Sequence, residues 1–562
     1  MKSIALILSY LSSPVRRRNL RVVLGLVATL VLLVVVFSVA FHVLMAREGR
    51  DHSWATGVYW TLTTMSTLGF GDITFNSDAG RIFSVVVLLS GAMFILVLLP
   101  FAFIQFVFMP WMEQREAARA PRRLPPDTSG HIVLTNLGPI EDTLIKRARR
   151  AKVPYVVIEP TVARALTLHD QGYQVMVGAL DDPGTYRAAR VEQAALVAST
   201  QPDTTNSNIT FTVREFDATV PIVVTASSEP SVDVLTLAGA DTVLRLGHML
   251  GEAMARRVLG DARSHVIGAI DDLLVTEANA ARTALAGREL RELDVRERCG
   301  VNIVGLWERG VFHVARADLP VTDRSVLLMT GDADQLACYD AAYGRARGPD
   351  ASVVIVGGGR VGRAAGHVLG EAGTDYTIVE RQAARVRHTG HYVVGDAADI
   401  DVLEEARLRA ASAVLVTPHE DDMNVYLTLY LRKLRPDVQL ISRANLDRNV
   451  TTLHRAGADS VLSYASLGAS AIWNELGPDD TVVVAEGLDV FRVPVPDWLA
   501  GRSLADAELR SDIRCNVVGL VRNGSERVEP APDPTTPVPA DASLVVVGDA
   551  AAQERFFARA AE

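Results

Sequence analysis

Two short stretches of this 562-residue chain combine residue types at spacings that could do chemistry. The first is Thr67-Leu68-Gly69-Phe70-Gly71-Asp72. Glycine tolerates backbone angles closed to other residues, so alternating glycines let successive carbonyl groups point the same way. Four such stretches around an axis would stack rings of oxygens from Thr67, Leu68, Gly69 and Phe70, with the Thr67 hydroxyl innermost. Such rings can replace the water shell of a potassium ion. The second stretch is Gly357-x-Gly359-x-x-Gly362, placed directly after a predicted strand and opening a predicted helix. Its glycines permit a tight turn, approach of a pyrophosphate and close helix–strand packing, and the helix N-terminus offers free amide donors to phosphate. Glu380 ends the next predicted strand, 21 residues beyond Gly359, where a carboxylate accepts from both ribose hydroxyls. That favours NAD or an adenosine nucleotide such as ADP over a 2′-phosphorylated one. Asp396 is placed on the adenine side, and Arg360 and Arg363 flank the turn.

The elements around the first stretch are of membrane type. Val22–Ala46 has His42 as its only titratable side chain, and Ile82–Met112 contains no Asp, Glu, Lys, Arg or His. At 1.5 Å per residue each exceeds the roughly 20 residues that cross a bilayer, and soluble helices rarely run so long without a polar face. Arg16, Arg17, Arg18 and Arg21 precede the first span, and Arg115, Arg119, Arg122 and Arg123 follow the second. The positive-inside rule therefore places both termini in the cytoplasm of a multi-pass membrane protein. Between the spans, Trp54–Ser66 is a half-length uncharged stretch that reads as a short re-entrant helix delivering Thr67. Two spans cannot enclose a path, so a pore requires several chains. In the second span Gly91 is a candidate packing glycine, and Pro100 removes a helical hydrogen bond.

Beyond residue 130 the chain repeats. His131–Gly138 corresponds to Ser352–Gly359, Tyr155–Glu159 to Tyr376–Glu380, Val177-Gly178 to Val394-Gly395 and Ala238–Asp241 to Ala456–Asp459. Short apolar runs alternating with helical stretches predict parallel sheets covered on both faces. Each half is followed by a β-rich tail: Leu285–Leu290, Val304-Gly305-Leu306 and Gly310 match Leu499–Leu504, Val518-Gly519-Leu520 and Gly524. The halves differ at the fingerprint. The first keeps Gly138 and Glu159, but has Asn136 in place of Gly357, Glu141 in place of Gly362 and Ala179 in place of Asp396. A side chain at the first glycine hinders the turn and Glu141 repels phosphate, so this site is expected to be empty or altered.

The chain carries 56 basic and 66 acidic residues; residues 1–123 hold 12 and 6 of these, which leaves a cytoplasmic body with 44 and 60. An acidic body argues against nucleic acid as a partner. Cys299, Cys338 and Cys515 are far apart in sequence and read as reduced thiols. With the histidines, His388 and His391 included, they form no zinc-ligand pattern.

Thr61-Leu62-Thr63-Thr64-Met65-Ser66-Thr67-Leu68-Gly69-Phe70-Gly71-Asp72 resembles the signature of potassium channels, with Leu for the commoner Val and Phe for the commoner Tyr. With the duplicated body, nearly the whole chain resembles two-transmembrane potassium channels with tandem cytoplasmic RCK (TrkA-N/TrkA-C-like) domains, of the bacterial GsuK type. The fold this implies is an all-α membrane pore domain (two transmembrane helices, pore helix and filter). It is joined to two α/β Rossmann-like RCK domains, each with a small α+β C-terminal lobe. The boundaries are 1–112 for the pore, 113–130 for a linker, and 131–265 and 266–345 for the first RCK N- and C-lobes. The second RCK N-lobe spans 350–480 and its C-lobe 481–562. The resemblance also implies a homotetramer in membrane lipid, a gating hinge of the inner helix at Gly91, a gating ring of eight RCK domains, a nucleotide ligand of NAD or ADP type, and Ca2+ as a second ligand without an identified site. Asp181, Asp182, Glu215 and Asp217 are acidic candidates, in no calcium-loop spacing. The alternatives are a membrane-attached regulatory subunit of a potassium transporter and a membrane-anchored dehydrogenase; for the latter no catalytic pair is evident, and no enzymatic activity is expected.

Overall fold

The computed structural model describes residues 14–109, 112 and 120–560, apart from 218, 260–263, 271, 281–282, 309–310, 323, 344–351, 387–388, 477–480, 484–487, 508, 510–512, 514, 524–526 and 531. Arg115, Arg119, Gly310, His388 and Gly524 lie outside the described residues. The chain forms two units, 1–121 with 162–167 and 122–161 with 168–562.

In the first unit, helix α1 (Pro14–Arg47) is followed by the short α2 (Trp54–Met65) and by α3 (Asp78–Gly91). Leu24–Arg47 and the continuous helical run Asp78–Phe106 are long and apolar enough to cross a membrane. Much of their apolar surface is exposed, Leu32 at 61% and Phe101 at 64%, as suits contact with lipid or other chains. Ser53 starts α2 by accepting the Thr56 N–H. The buried knot around it is Phe41, Met45, Trp60, Met65, Phe75 and Val87. Past Gly91 the second span widens into π-helical turns at Ala92–Leu98 and Ile104–Phe108, on either side of Leu99–Phe103. Pro100, which has no N–H to give, sits between the two widened stretches.

The second unit holds two six-stranded parallel sheets. Strands β1 (His131–Leu134), β2 (Tyr155–Glu159), β3 (Val175–Val177), β4 (Ala194–Ser199), β5 (Ile222–Thr225) and β6 (Thr242–Leu244) run in the order 3-2-1-4-5-6. After an antiparallel lobe of β7 (His265–Ile270), β8 (Leu273–Asn279), β9 (Asn302–Glu308), β10 (Val311–Val314) and β11 (Val326–Gly331), the second sheet repeats that order. Its strands are β12 (Ser352–Val356), β13 (Asp375–Glu380), β14 (Tyr392–Val394), β15 (Ala413–Val416), β16 (Gln439–Ala444) and β17 (Ser460–Ser463). This is the doubly wound order whose switch point, between the first and fourth strands, opens a crevice at the strands' carboxyl ends. The closing lobe, β18 (Thr481–Val483), β19 (Leu488–Pro494), β20 (Asn516–Val521), β21 (Val528–Pro530) and β22 (Ser543–Asp549), has the strand connectivity of the first lobe. The two lobes share one core: Ile270, Val304 and Trp307 cluster with Val490, Val518 and Val545.

The halves pack through helices beside the sheets. Helix α4 (Pro139–Arg150) lies on α7 (Tyr464–Asn474), and α5 (Leu246–Leu259) on α6 (Arg360–Glu371). At the latter crossing a Cβ on Gly251 would lie 2.3 Å from the Val361 carbonyl oxygen, so only glycine allows the approach. One expectation is corrected here: Cys299 and Cys338 are not separate thiols but form a disulfide. The helix ending at Cys299 and the helix Ala333–Tyr343 bring Cα atoms 39 residues apart in sequence to 5.5 Å. Distance along the chain was no guide, because the two helices meet over the lobe's sheet. Cys515 is buried.

Candidate functional site

The loop after α2 takes its form from where its N–H groups go. Those of Leu68 and Gly69 both donate to the Thr63 carbonyl, at 3.0 and 3.1 Å, and Thr67 N–H donates to Thr64. With these amides turned back onto α2, the carbonyls of Thr67 and Leu68, on the opposite side of the same trans peptides, are directed away from it. Thr67, Gly69 and Gly71 have positive φ (65°, 42° and 76°), and Leu68 and Phe70 are exposed on this chain. The far end of the loop is tied down twice: Tyr59 Oη donates to Asp72 Oδ2 (3.1 Å) and Trp60 Nε1 to the Ile73 carbonyl (3.1 Å). Phe70 lacks the hydroxyl of the commoner Tyr, and Tyr59, which carried no motif, supplies one to the loop from the helix. Glu48 accepts from the Ser77 N–H, the Ser77 hydroxyl and the Asn76 N–H, clamping the next turn. Those donors hold its carboxyl below the usual range. Gly91 lies where a Cβ would stand 2.3 Å from Met65 Cα; the second span therefore rests on the end of α2 at the point where its π-helical stretch begins.

In the second half, β12 leads into Gly357 (φ 103°), whose N–H donates to the Val379 carbonyl. A Cβ on Gly362 would stand 1.9 Å from the Gly357 carbonyl oxygen, which makes the third glycine a condition of helix–strand contact. A Cβ on Gly359 would meet nothing within 4 Å, so open space lies over the loop at the start of α6, where a phosphate would sit. Glu380 is buried; its Oε2 accepts from Gly358 N–H and its Oε1 from Gln382 N–H, both at 2.8 Å. A carboxylate has about four acceptor positions, which leaves room for ribose hydroxyls. Asp396 is exposed on the same side, with Oδ1 accepting from Ala398 N–H. Arg363 is turned onto the loop itself, donating to Gly358 O at 2.6 Å, whereas Arg360 is exposed at the helix start.

In the first half the corresponding space is filled by the protein. Glu141 is buried at 2% exposure, its Oε2 accepting the Gly138 N–H (2.9 Å) and its Oε1 the Thr200 hydroxyl (2.5 Å). Asn136 pairs with Thr200, and Glu159 accepts the Thr161 N–H. Burial pushes the Glu141 carboxyl up. Its role is thus closer to occupying the phosphate position than to repelling a phosphate from outside. Two basic residues beside the second cradle, His419 and Arg443, carried no motif; the available signal was their absence from the first half, where Thr225 stands for Arg443 and the loop Thr200-Gln201-Pro202-Asp203 has no basic residue. Of the acidic candidates for calcium, Asp182 caps a helix through Gly184 N–H, and Asp217 accepts from the Thr219 N–H and hydroxyl. Among the described residues no three His, Cys, Asp or Glu side chains converge as for a metal.

Two apolar spans around a carbonyl-bearing loop, continued into paired doubly wound sheets, define a membrane channel with a cytoplasmic regulatory body. The Ion channel family model matches residues 29–107, the TrkA-N domain model matches 132–246 and 353–464, and the TrkA-C domain model matches 490–561. The structure of the GsuK channel bound to NAD is 33% identical, with 97% of this chain and 100% of that chain covered and a TM-score of 0.59. The GsuK RCK domain structure is 31% identical, covering 80% of this chain and 99% of its own, with a TM-score of 0.57. Potassium channel protein 1 of Methanocaldococcus jannaschii is 23% identical over 300 residues, 51% of this chain and 86% of its own. An uncharacterized protein of Methanothermus fervidus is 26% identical over 190 residues, 33% of this chain and 30% of its own. The chain belongs to the TrkA/RCK-type potassium channels, the family of the GsuK channel. It is a multi-pass membrane transport protein and not an enzyme.

Proposed function

We propose that four copies of the chain form one pore that conducts K+ passively through stacked carbonyl rings of Thr67, Leu68, Gly69 and Phe70. The supporting observation is that the Leu68 and Gly69 amides are both spent on Thr63, which leaves the Thr67 and Leu68 carbonyls of the same peptides for an ion. Nucleotide of NAD or ADP type binds at Gly357, Gly359, Arg360, Gly362, Glu380 and Asp396 and biases the body between two geometries. Only a ligand with different affinities for the two geometries can shift their balance. The route out of the site is short. Val361, in the first turn of α6, abuts Gly251 of α5 with no room for a methyl group, so a shift of the loop is a shift of the first half. Gly91, at which the π-helical turns begin, is the hinge on which the second span opens and closes.

The test is single-channel recording from purified protein in bilayers, with NAD, NADH, ADP, ATP and Ca2+ added one at a time. The active nucleotide changes open probability, and Gly359→Asp abolishes that change while K+ conduction persists. Substitution of Gly69 or Gly71 abolishes K+ selection; a pore indifferent to such changes would sink the filter assignment.

A further inference from the structure

The proposed nucleotide site leaves one group of side chains unused. Arg443, next to last in β16, is 6% exposed. Its guanidinium lies 4.9 Å over the Tyr464 ring, Nη2 reaches His419 Nδ1 (3.0 Å) and Asn445 Oδ1 (3.3 Å), and Nε has no partner. Among the described residues no carboxylate stands within ion-pair distance of it. Asp421 is close enough to act on Arg443 through its charge, but its oxygens are taken by the N–H groups of Asn445 and Leu446 and the Asn449 amide. Burying a guanidinium without a counter-ion is costly, and the cost persists only where something offsets it.

His419 is exposed and follows Thr417-Pro418 at the end of β15; Thr417 Oγ1 lies 2.9 Å from the Gly357 carbonyl. Arg360 is the exposed first residue of α6, and its charge reaches both Arg443 and His419. In the strand order 14-13-12-15-16, Glu380 and the residues after β14 lie on one side of the Gly357 turn, and His419 and Arg443 on the other. The basic group therefore stands where the end of a ligand remote from its ribose would lie.

The first half is an internal control. Ile222 N–H donates to Asp241 as Leu440 N–H donates to Asp459, which fixes the correspondence of β5 with β16. Pro139 and Thr225 then stand where Arg360 and Arg443 do, and the loop after β4, Thr200-Gln201-Pro202-Asp203, is one residue shorter than its counterpart and has no basic residue in place of His419. The same fold forms without the three basic side chains, so they are not a requirement of the fold.

We infer that Arg443, His419 and Arg360 bind the terminal phosphate of a nucleoside di- or triphosphate whose ribose is held by Glu380. This rests on the nucleotide site proposed above and sharpens its ligand class. Charge-assisted hydrogen bonds from a planar guanidinium suit a phosphate, whereas the positively charged nicotinamide ring of NAD would meet like charge there. The test is calorimetric titration of the purified full-length channel with ADP, ATP and NAD. Arg443→Gln weakens ADP and ATP by at least about tenfold and NAD by less than about threefold, and Arg443→Lys recovers part of the loss. Because Arg443 is buried, His419→Gln and Arg360→Gln, at exposed positions, are measured beside it and show the same selectivity with a smaller drop. Equal loss of all three ligands, or no loss in any variant, overturns the inference and leaves the nucleotide site standing. A wild-type channel that binds none of the three overturns both.

Discussion

The two parallel sheets of the body are built by one set of polar residues and serve different ends. Asn206 and Asn424 both bridge the end of the fourth strand to the fifth, donating to the Gln201 and Thr225 carbonyls in one half and to Pro418 and Arg443 in the other. Arg214 and Arg432 both donate to the glycine carbonyl before the last strand (Gly239, Gly457) and to the following aspartate (Asp241, Asp459). What differs is the loop after the first strand. One half has three glycines around open space; the other has Asn136 and a carboxylate folded into that space. Duplication kept the scaffold in both halves and left the two loops to diverge.

Exchanging single residues between the halves probes that difference. The largest effect is expected for Gly362→Glu, which copies Glu141 into the second half. Its Cβ alone would stand 1.9 Å from the Gly357 carbonyl oxygen, so the loop must open. Nucleotide affinity, measured calorimetrically, falls more than about 100-fold, and overpacking costs about 1–3 kcal/mol of local stability. The reverse change, Glu141→Gly, gains no nucleotide binding, because Asn136 still occupies the position where Gly357 needs a φ of 103°. Binding by that variant would break the distinction between the halves.

A smaller effect, present in both halves, is expected at the shared scaffold. Arg214→Ala and Arg432→Ala each remove several hydrogen bonds to strand-end carbonyls and one carboxylate pairing. Each costs about 2–4 kcal/mol, read as faster amide exchange in β5 and in β16 respectively. The loss is expected to be steeper in β16, because Asp459 is 9% exposed on its side chain and Asp241 is 54% exposed. Water can take over from the arginine at Asp241, whereas Asp459 is left with Arg324, at 3.7 Å from its other oxygen.

Much of this architecture was legible in the sequence because periodicity and glycine spacing report directly on backbone requirements. The spans, the re-entrant helix, the paired sheets and the intact fingerprint at Gly357, Gly359 and Gly362 are all of that kind. The Cys299–Cys338 bridge was not legible, since it depends on how two helices meet over a sheet. Nor was the inward turn of Glu141: a glutamate at a helix start reads as a solvated or repelling charge, and its burial follows from the Gly138 amide and Thr200 hydroxyl awaiting an acceptor. Tyr59 and Arg443 were missed for the same reason, because the significance of each lies in a partner on another element.

The smallest expected effect concerns Glu141 and its charge. Desolvation raises its carboxyl in the folded protein, while Thr200 and Gly138 only partly oppose that rise. In the unfolded chain the group ionises at the ordinary value, so across the interval between the two the folded state holds a proton that the unfolded state has lost. Stability then falls as pH rises through that interval, is undiminished below it and stays at its reduced level above it. Glu141→Gln carries no charge at any of these pH values and removes this contribution. Relative to the wild type, the variant should therefore gain stability as pH rises above the ordinary carboxylate range, as read from unfolding midpoints of the full-length protein in detergent. A wild-type-minus-variant difference that does not move with pH would mean that Glu141 ionises in the fold as it does outside it. The carboxylate would then be an ordinary solvated helix cap, and the first cradle would not be filled by its own chain.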